Sequence, residues 1–219
     1  MSVSTNSFNK SYARRSYSFS DEFETIDEDY LLTGCSSIAK SFECAIAICQ
    51  VLGRHNYESE WKIAHSKLIT ALENPSEIFD LQKDRSRFSM DWYYPILGGI
   101  NSKQRIAALI TKIQDSFWVE GLGIKCVSDE PWVTVAETSE CSIAYKKIGE
   151  DKIALELLHN AIAIVDNKNI PYMGWQFKEN IYWPEETPAW TSAACILAAD
   201  ANNRLTSGAD LFLKQQFKP

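Results

Sequence analysis

The chain predicts an all-α fold of the α/α-toroid type, built from repeated antiparallel helical hairpins in an incomplete ring. Two observations carry this. Nearly apolar helical segments alternate with amphipathic ones, and the apolar segments begin near Ser36, Met90, Thr134 and Thr187, a recurrence of roughly 50 residues that repeated supersecondary units produce. With 219 residues of which 45% are hydrophobic, the chain is large enough for one substantial core.

The first hairpin pairs the segment Ser36 to Cys49, apolar on nearly every side, with Glu58 to Leu72, whose Trp61, Ala64, Leu68 and Leu72 form one stripe. Met90 to Gly98 is apolar and aromatic, and Ser102 to Phe117 sets Ile106, Ile110, Ile113 and Phe117 against Lys103, Arg105, Lys112 and Asp115. Thr134 to Ile148 is small and apolar, and Asp151 to Val165 again has a stripe and a wet face. Thr187 to Ala201 is apolar nearly all round. Thr134 with Glu137 has the spacing of a capping box, Gly149 stands where a helix ends, and Thr187-Pro188 reads as N-cap and N1. The apolar helices are expected inside and parallel, with the amphipathic ones returning outside. All inner N-termini then open on one end, where the long loops 74–89, 120–133 and 166–186 also lie.

Residues 1–29 read as a disordered Ser-rich tail with an acidic linker, leaving 30–219 as the toroid domain. The net charge of −7 and the lack of a Lys/Arg-rich stripe argue against nucleic acid. No apolar run is expected to span a bilayer. The six cysteines show no zinc-site or disulfide-framework spacing, so free thiols, a cytoplasmic location and no metal or other cofactor are expected.

The open end gathers acids and aromatics. Asp91, Glu137 and Glu186 are the candidate catalytic acids, each in or beside the first turn of an inner helix. Trp92, Tyr93, Trp132, Glu140, Trp175, Trp183 and Trp190 are the candidate substrate-binding residues. Paired carboxylates with aromatic platforms suit attack on a glycosidic bond, whereas aromatic rings facing a carbocation suit isoprenoid chemistry. Each residue also has a plain structural role open to it: Asp91 and Glu137 as caps, Glu185 and Glu186 as first-turn acids, and Trp183 and Trp190 as core.

The segments Tyr30 to Ile48, Arg87 to Gly99, Gly121 to Glu140 and Trp183 to Ala201 resemble a bacterial family identified as prenyltransferase or terpenoid-cyclase-like, of α/α-toroid fold. The resemblance implies a transferase acting on an isoprenoid or isoprenoid-linked substrate. The aspartate-rich motif of the cyclases and the zinc-ligand trio of the protein prenyltransferases are absent from the sequence. The same general fold is shared with six-hairpin glycosidases, so a carbohydrate-active enzyme with a glycan substrate is the alternative. A helical-repeat interaction module is the third reading, since CSIAYKKIGEDKIALELLHNAI resembles a tetratricopeptide unit. Four inner helices cannot close a six-hairpin ring, and a second copy or a partner protein is expected to cover the open edge.

Overall fold

The computed structural model describes residues 15–19, 24–75, 78–82 and 84–217. The chain is mostly helical. Among the described residues seven α-helices follow a short hairpin: β1 (Arg15–Phe19), β2 (Glu24–Tyr30), α1 (Leu32–Leu52), α2 (Glu58–Glu73), α3 (Met90–Leu97), α4 (Lys103–Lys112), β3 (Trp118–Val119), β4 (Gly123–Ile124), β5 (Trp132–Thr134), α5 (Val135–Lys147), α6 (Asp151–Ala163), β6 (Gly174–Gln176), β7 (Ile181–Tyr182) and α7 (Ala189–Asn203). The long stripe expected over Ser102 to Phe117 is split, because α4 ends at Lys112 and Ile113–Phe117 widens into a π-helical turn.

The fold is not purely helical, which corrects the all-α expectation. β1 pairs antiparallel with β2, β3 with β4, and β5, β6 and β7 form a three-stranded antiparallel sheet. The strands β3 to β7 lie in or beside the long loops. A loop of 15 to 20 residues carries many backbone polar groups, and short ladders satisfy them where no helix can. Of the expected tail, 1–14 and 20–23 lie outside the described residues, and the rest pairs as β1 and β2.

Helices α1, α3, α5 and α7 pack side by side in chain order, with α2, α4 and α6 behind them. Neighbours in the first layer run the same way. Ser139 touches Cys195 and Ser142 touches Asn202, so position advances together along α5 and α7. Near the start of α3, the Ser89 amide donates to the Cys126 carbonyl, and Cys126 in turn bonds Glu137 at the start of α5. Gly98, past the end of α3, meets Ser36 so closely that a Cβ there would stand 2.8 Å from the Ser36 carbonyl oxygen.

Burial follows this layering. α5 buries most of its length, including Tyr145 and Cys141, whereas α4 buries only Leu109. The two end helices are the exception. α1 buries Cys35, Ala39 and Ile46 but exposes Ile48, Val51 and Leu52, and α7 buries Ala194, Cys195 and Ala198 but exposes Trp190, Ile196 and Leu197. By length and composition alone the 21 residues of α1, with a mean hydropathy of 1.3, are long and apolar enough to cross a membrane. Here it packs on α2 and α3, and carries the buried ion pair Lys40–Glu43 at 2.6 Å.

The caps differ from their sequence signatures. Thr134 is the N-cap of α5, yet its hydroxyl makes no cap bond and has no partner among the described residues. The capping box is therefore not formed, since Glu137 turns to Cys126 instead. At α7 the N-cap is Pro188 rather than Thr187. Gly149 does end α5, with φ +88°, a conformation that a side chain would strain.

Candidate active site

A groove with a cavity of about 440 Å³ opens between α1 and α7. Its sides are Lys40, Ser41 and Cys44 of α1 and Trp190, Ala194 and Leu197 of α7, and its floor is made by Tyr94 and Leu97 of α3 with Glu140 and Ile143 of α5. The C-terminal stretch after α7 contributes Phe212 and reaches α1. There the Gln216 amide donates to Glu43 Oε1 at 2.9 Å, and the Lys40 ammonium sits 5.7 Å from the Phe212 ring.

Glu140 is the carboxyl in this groove. Tyr93 Oη donates to its Oε2 at 2.9 Å and Tyr94 Oη to its Oε1 at 3.1 Å. Burial pushes its pKa up to about 7; the charge of Glu137 adds to the rise, and the two tyrosine hydrogen bonds oppose it. A carboxyl that titrates near neutrality can hold a proton and release it, which is what a general acid requires. Helix geometry explains the grouping. Residues 137 and 140 lie on one face of α5, and Tyr93 and Tyr94, beside the start of α5, reach across to that face.

The remaining expected residues fall in several places. Asp91 is buried and bonded by Arg85 Nε at 3.1 Å, in a separate cleft of about 510 Å³ that also holds Trp92 and Arg105. Burial raises the pKa of Asp91 to about 7, against the attraction of Arg85. Glu137 is buried, with Oε2 unpartnered among the described residues. Glu186 is exposed, on the approach to α7, and its carbonyl accepts from the Met173 amide.

The aromatic residues divide likewise. Tyr93 is fully buried under Glu140. Trp132 Nε1 donates to the Trp183 carbonyl at 2.6 Å, with the two rings 6.4 Å apart, so these tryptophans form a pair across the β5 and β7 ends of the sheet. Trp175 sits edge-on to Tyr182 at 4.9 Å on the same sheet. Trp190 alone of the expected tryptophans lines the groove, half-exposed.

Sequence reasoning named Glu140 and Trp190, and Tyr94 among the aromatics of the open end, but passed over Lys40 and Phe212 in the groove, and Arg85 and Arg105 in the second cleft. A signal for the first existed. Lys40 and Glu43 are two charges three residues apart on an otherwise apolar helix, and charges are almost never buried unless paired.

Comparison with known proteins places this site in context. No family model matches the chain. The chain is 40% identical over 185 residues to the MMP endo-(1,4)-3-O-methyl-alpha-D-mannosidase of Mycolicibacterium hassiacum, an alignment covering 84% of this chain and 50% of that protein. The chain thus spans about half the length of the relative it matches. This corrects the family reading: the relative is named for glycoside hydrolysis, so the prenyltransferase or terpenoid-cyclase resemblance, the isoprenoid substrate and the transferase activity drawn from it are set aside. The physical reason for the error lies in the fold, since apolar helices and aromatic loops occur alike around a prenyl chain and around a sugar, and only the ligand chemistry differs. The glycan alternative is the reading that this relative favours, for a chain that carries Glu140, its pKa raised to about 7 by burial, in an open groove.

Proposed function

We propose that the chain is an incomplete α/α toroid that takes part in hydrolysing an α-(1,4)-linked mannose oligosaccharide bearing methyl ethers, with the groove between α1 and α7 as its substrate site. The observation that carries the reading is Glu140, a carboxyl bonded by two tyrosines and aimed at a cavity with mostly apolar walls. Methyl ethers suit such walls, because Leu97, Ile143, Leu197 and Phe212 offer no partner for a free hydroxyl. The half-exposed Trp190 supplies an aromatic platform at the rim.

In this reading Glu140 donates the proton to the leaving glycosidic oxygen. Burial is the main cause of the raised Glu140 pKa, and the charge of Glu137, one turn away on α5, adds to it. Water attacks the anomeric carbon as the bond to the leaving oxygen breaks; Glu186, the candidate acid that would activate it, is exposed four residues before Trp190 and outside the groove lining. Asp91 belongs to the second cleft and supports binding rather than proton transfer.

The test is direct. Purified protein is incubated with an α-(1,4)-linked 3-O-methylmannose oligosaccharide and the products are weighed by mass spectrometry. Glu140→Gln is expected to lower turnover by about 100-fold or more, the usual worth of a positioned general acid. Full turnover in that variant, or no cleavage by the parent chain, sinks the proposal.

A further inference from the structure

A second cleft lies away from the groove and shares no lining residue with it. It is a space of about 510 Å³ between the 78–86 loop and helices α3 and α4. Asp91, on the first turn of α3, is only 7% exposed there. One of its oxygens is held by Arg85 Nε at 3.1 Å, while the other, Oδ1, is buried with no hydrogen-bond partner among the described residues. Arg105 enters the same cleft from α4, and its Nη2 is also buried and unpartnered among them. Two residues that line one cavity thus each carry a buried polar atom without a partner among the described residues, a cost that a ligand's hydroxyls would offset.

The chemistry of that ligand is readable. Asp80, Asp84 and Asp91 outnumber Arg85 and Arg105, so the cleft does not favour an anion. A hydroxyl both donates and accepts, and therefore fits a carboxylate and a guanidinium together. Phe79, Pro75 and Leu32 line the other side, and Trp92 is fixed as a wall because its Nε1 donates to the Ser86 carbonyl at 3.1 Å. A pyranose presents this combination, with hydroxyls at its edge and C–H groups on its face, and a methyl ether adds apolar surface.

We infer that this cleft is a second saccharide site, taking one neutral, O-methylated pyranose through Asp91, Arg105 and Trp92. The inference rests on the glycan reading only for the class of sugar; the position of the site is independent of the groove.

The experiment is 19F NMR of the chain labelled with 5-fluorotryptophan, which gives a line for each of the seven tryptophans. Trp92 and Trp190 are assigned by their phenylalanine variants. Methyl 3-O-methyl-α-D-mannopyranoside is titrated to millimolar concentration. The Trp92 line is expected to shift saturably, and to lose that shift in Asp91→Asn. Ser86→Trp provides a second variant that leaves the buried Asp91–Arg85 pair untouched: Ser86 is exposed, its carbonyl is kept, and the added ring fills the cleft. A saturable Trp92 shift abolished by Ser86→Trp supports the second site whether or not the Trp190 line moves. A Trp190 shift with an unmoved Trp92 line overturns it and leaves the groove as the sugar site. If neither line moves, both readings fail.

Discussion

Glu140 and Asp91 are two carboxyls whose pKa values burial lifts to about 7, and this ties stability to pH. Each binds a proton more tightly in the folded chain than in the unfolded one. Their contribution is therefore fully present below about pH 4, where both states are protonated, and is lost as pH rises through 7. Between pH 5 and 8 the unfolding free energy is expected to fall. Glu140→Gln, which has no proton to lose there, is expected to show a shallower fall, measured by urea denaturation at the two pH values. A parallel fall in the variant and the parent would place Glu140 in an ordinary, solvated setting. Activity is expected to follow the same group, with turnover declining as pH rises past about 7, because the proton donor is then empty.

Between elements, the approach of α1 to α3 depends on Gly98. A Cβ at that position would stand 2.8 Å from the Ser36 carbonyl oxygen and 3.0 Å from the Ser36 Cβ, both rigid atoms of a packed helix. The φ of −68° at Gly98 is open to any residue, so substitution here tests packing alone and not backbone strain. Gly98→Ala is expected to push α1 away from α3 at a cost of about 1–3 kcal/mol, the usual range for overpacking a tight core. A denaturation midpoint equal to that of the parent would show that the two helices separate freely. Because α1 and α3 both wall the groove, the same variant is expected to bind saccharide more weakly than the parent there.

For the molecule as a whole, the stretch after α7 joins the last helix of the first layer to the first hairpin. Lys40 Nζ reaches the Lys214 carbonyl at 3.5 Å, the Gln216 amide meets Glu43, and Phe217 packs edge-on to His65 of α2 with ring centres 5.3 Å apart. One chain segment therefore crosses from α7 to α1 and adds Phe212 to the groove lining. Deleting residues 208–219 is expected to leave α5 and α6 protected while amide exchange in α1 and α2 quickens by roughly tenfold or more, since the first hairpin then loses its tie to the far side. Uniform acceleration across all helices would instead show a single cooperative unit. Ile48, Val51 and Leu52 stand exposed together at the end of α1.

The periodicity of apolar residues determined the helices and their alternation, because a helix that must bury all sides carries apolar residues on all sides; Cys35, Ala39 and Ile46 of α1 and the whole middle of α5 were legible in this way. Gly149 was readable as a helix end for a similarly local reason, its positive φ. Contacts across the fold decided the rest. Thr134 and Glu137 have capping-box spacing, yet the nearness of Cys126 drew Glu137 away. Asp91, Glu137 and Glu186 share a position at helix starts, yet burial, side-chain direction and the loop between Asp166 and Glu186 put them in three different surroundings. The raised pKa of Glu140 comes from its burial when the helices pack, while Tyr93 and Tyr94, reaching it from another helix, hold its oxygens and oppose the rise. Spacing along a chain sets which face a side chain takes, whereas its proton affinity depends on neighbours that arrive only when the helices pack.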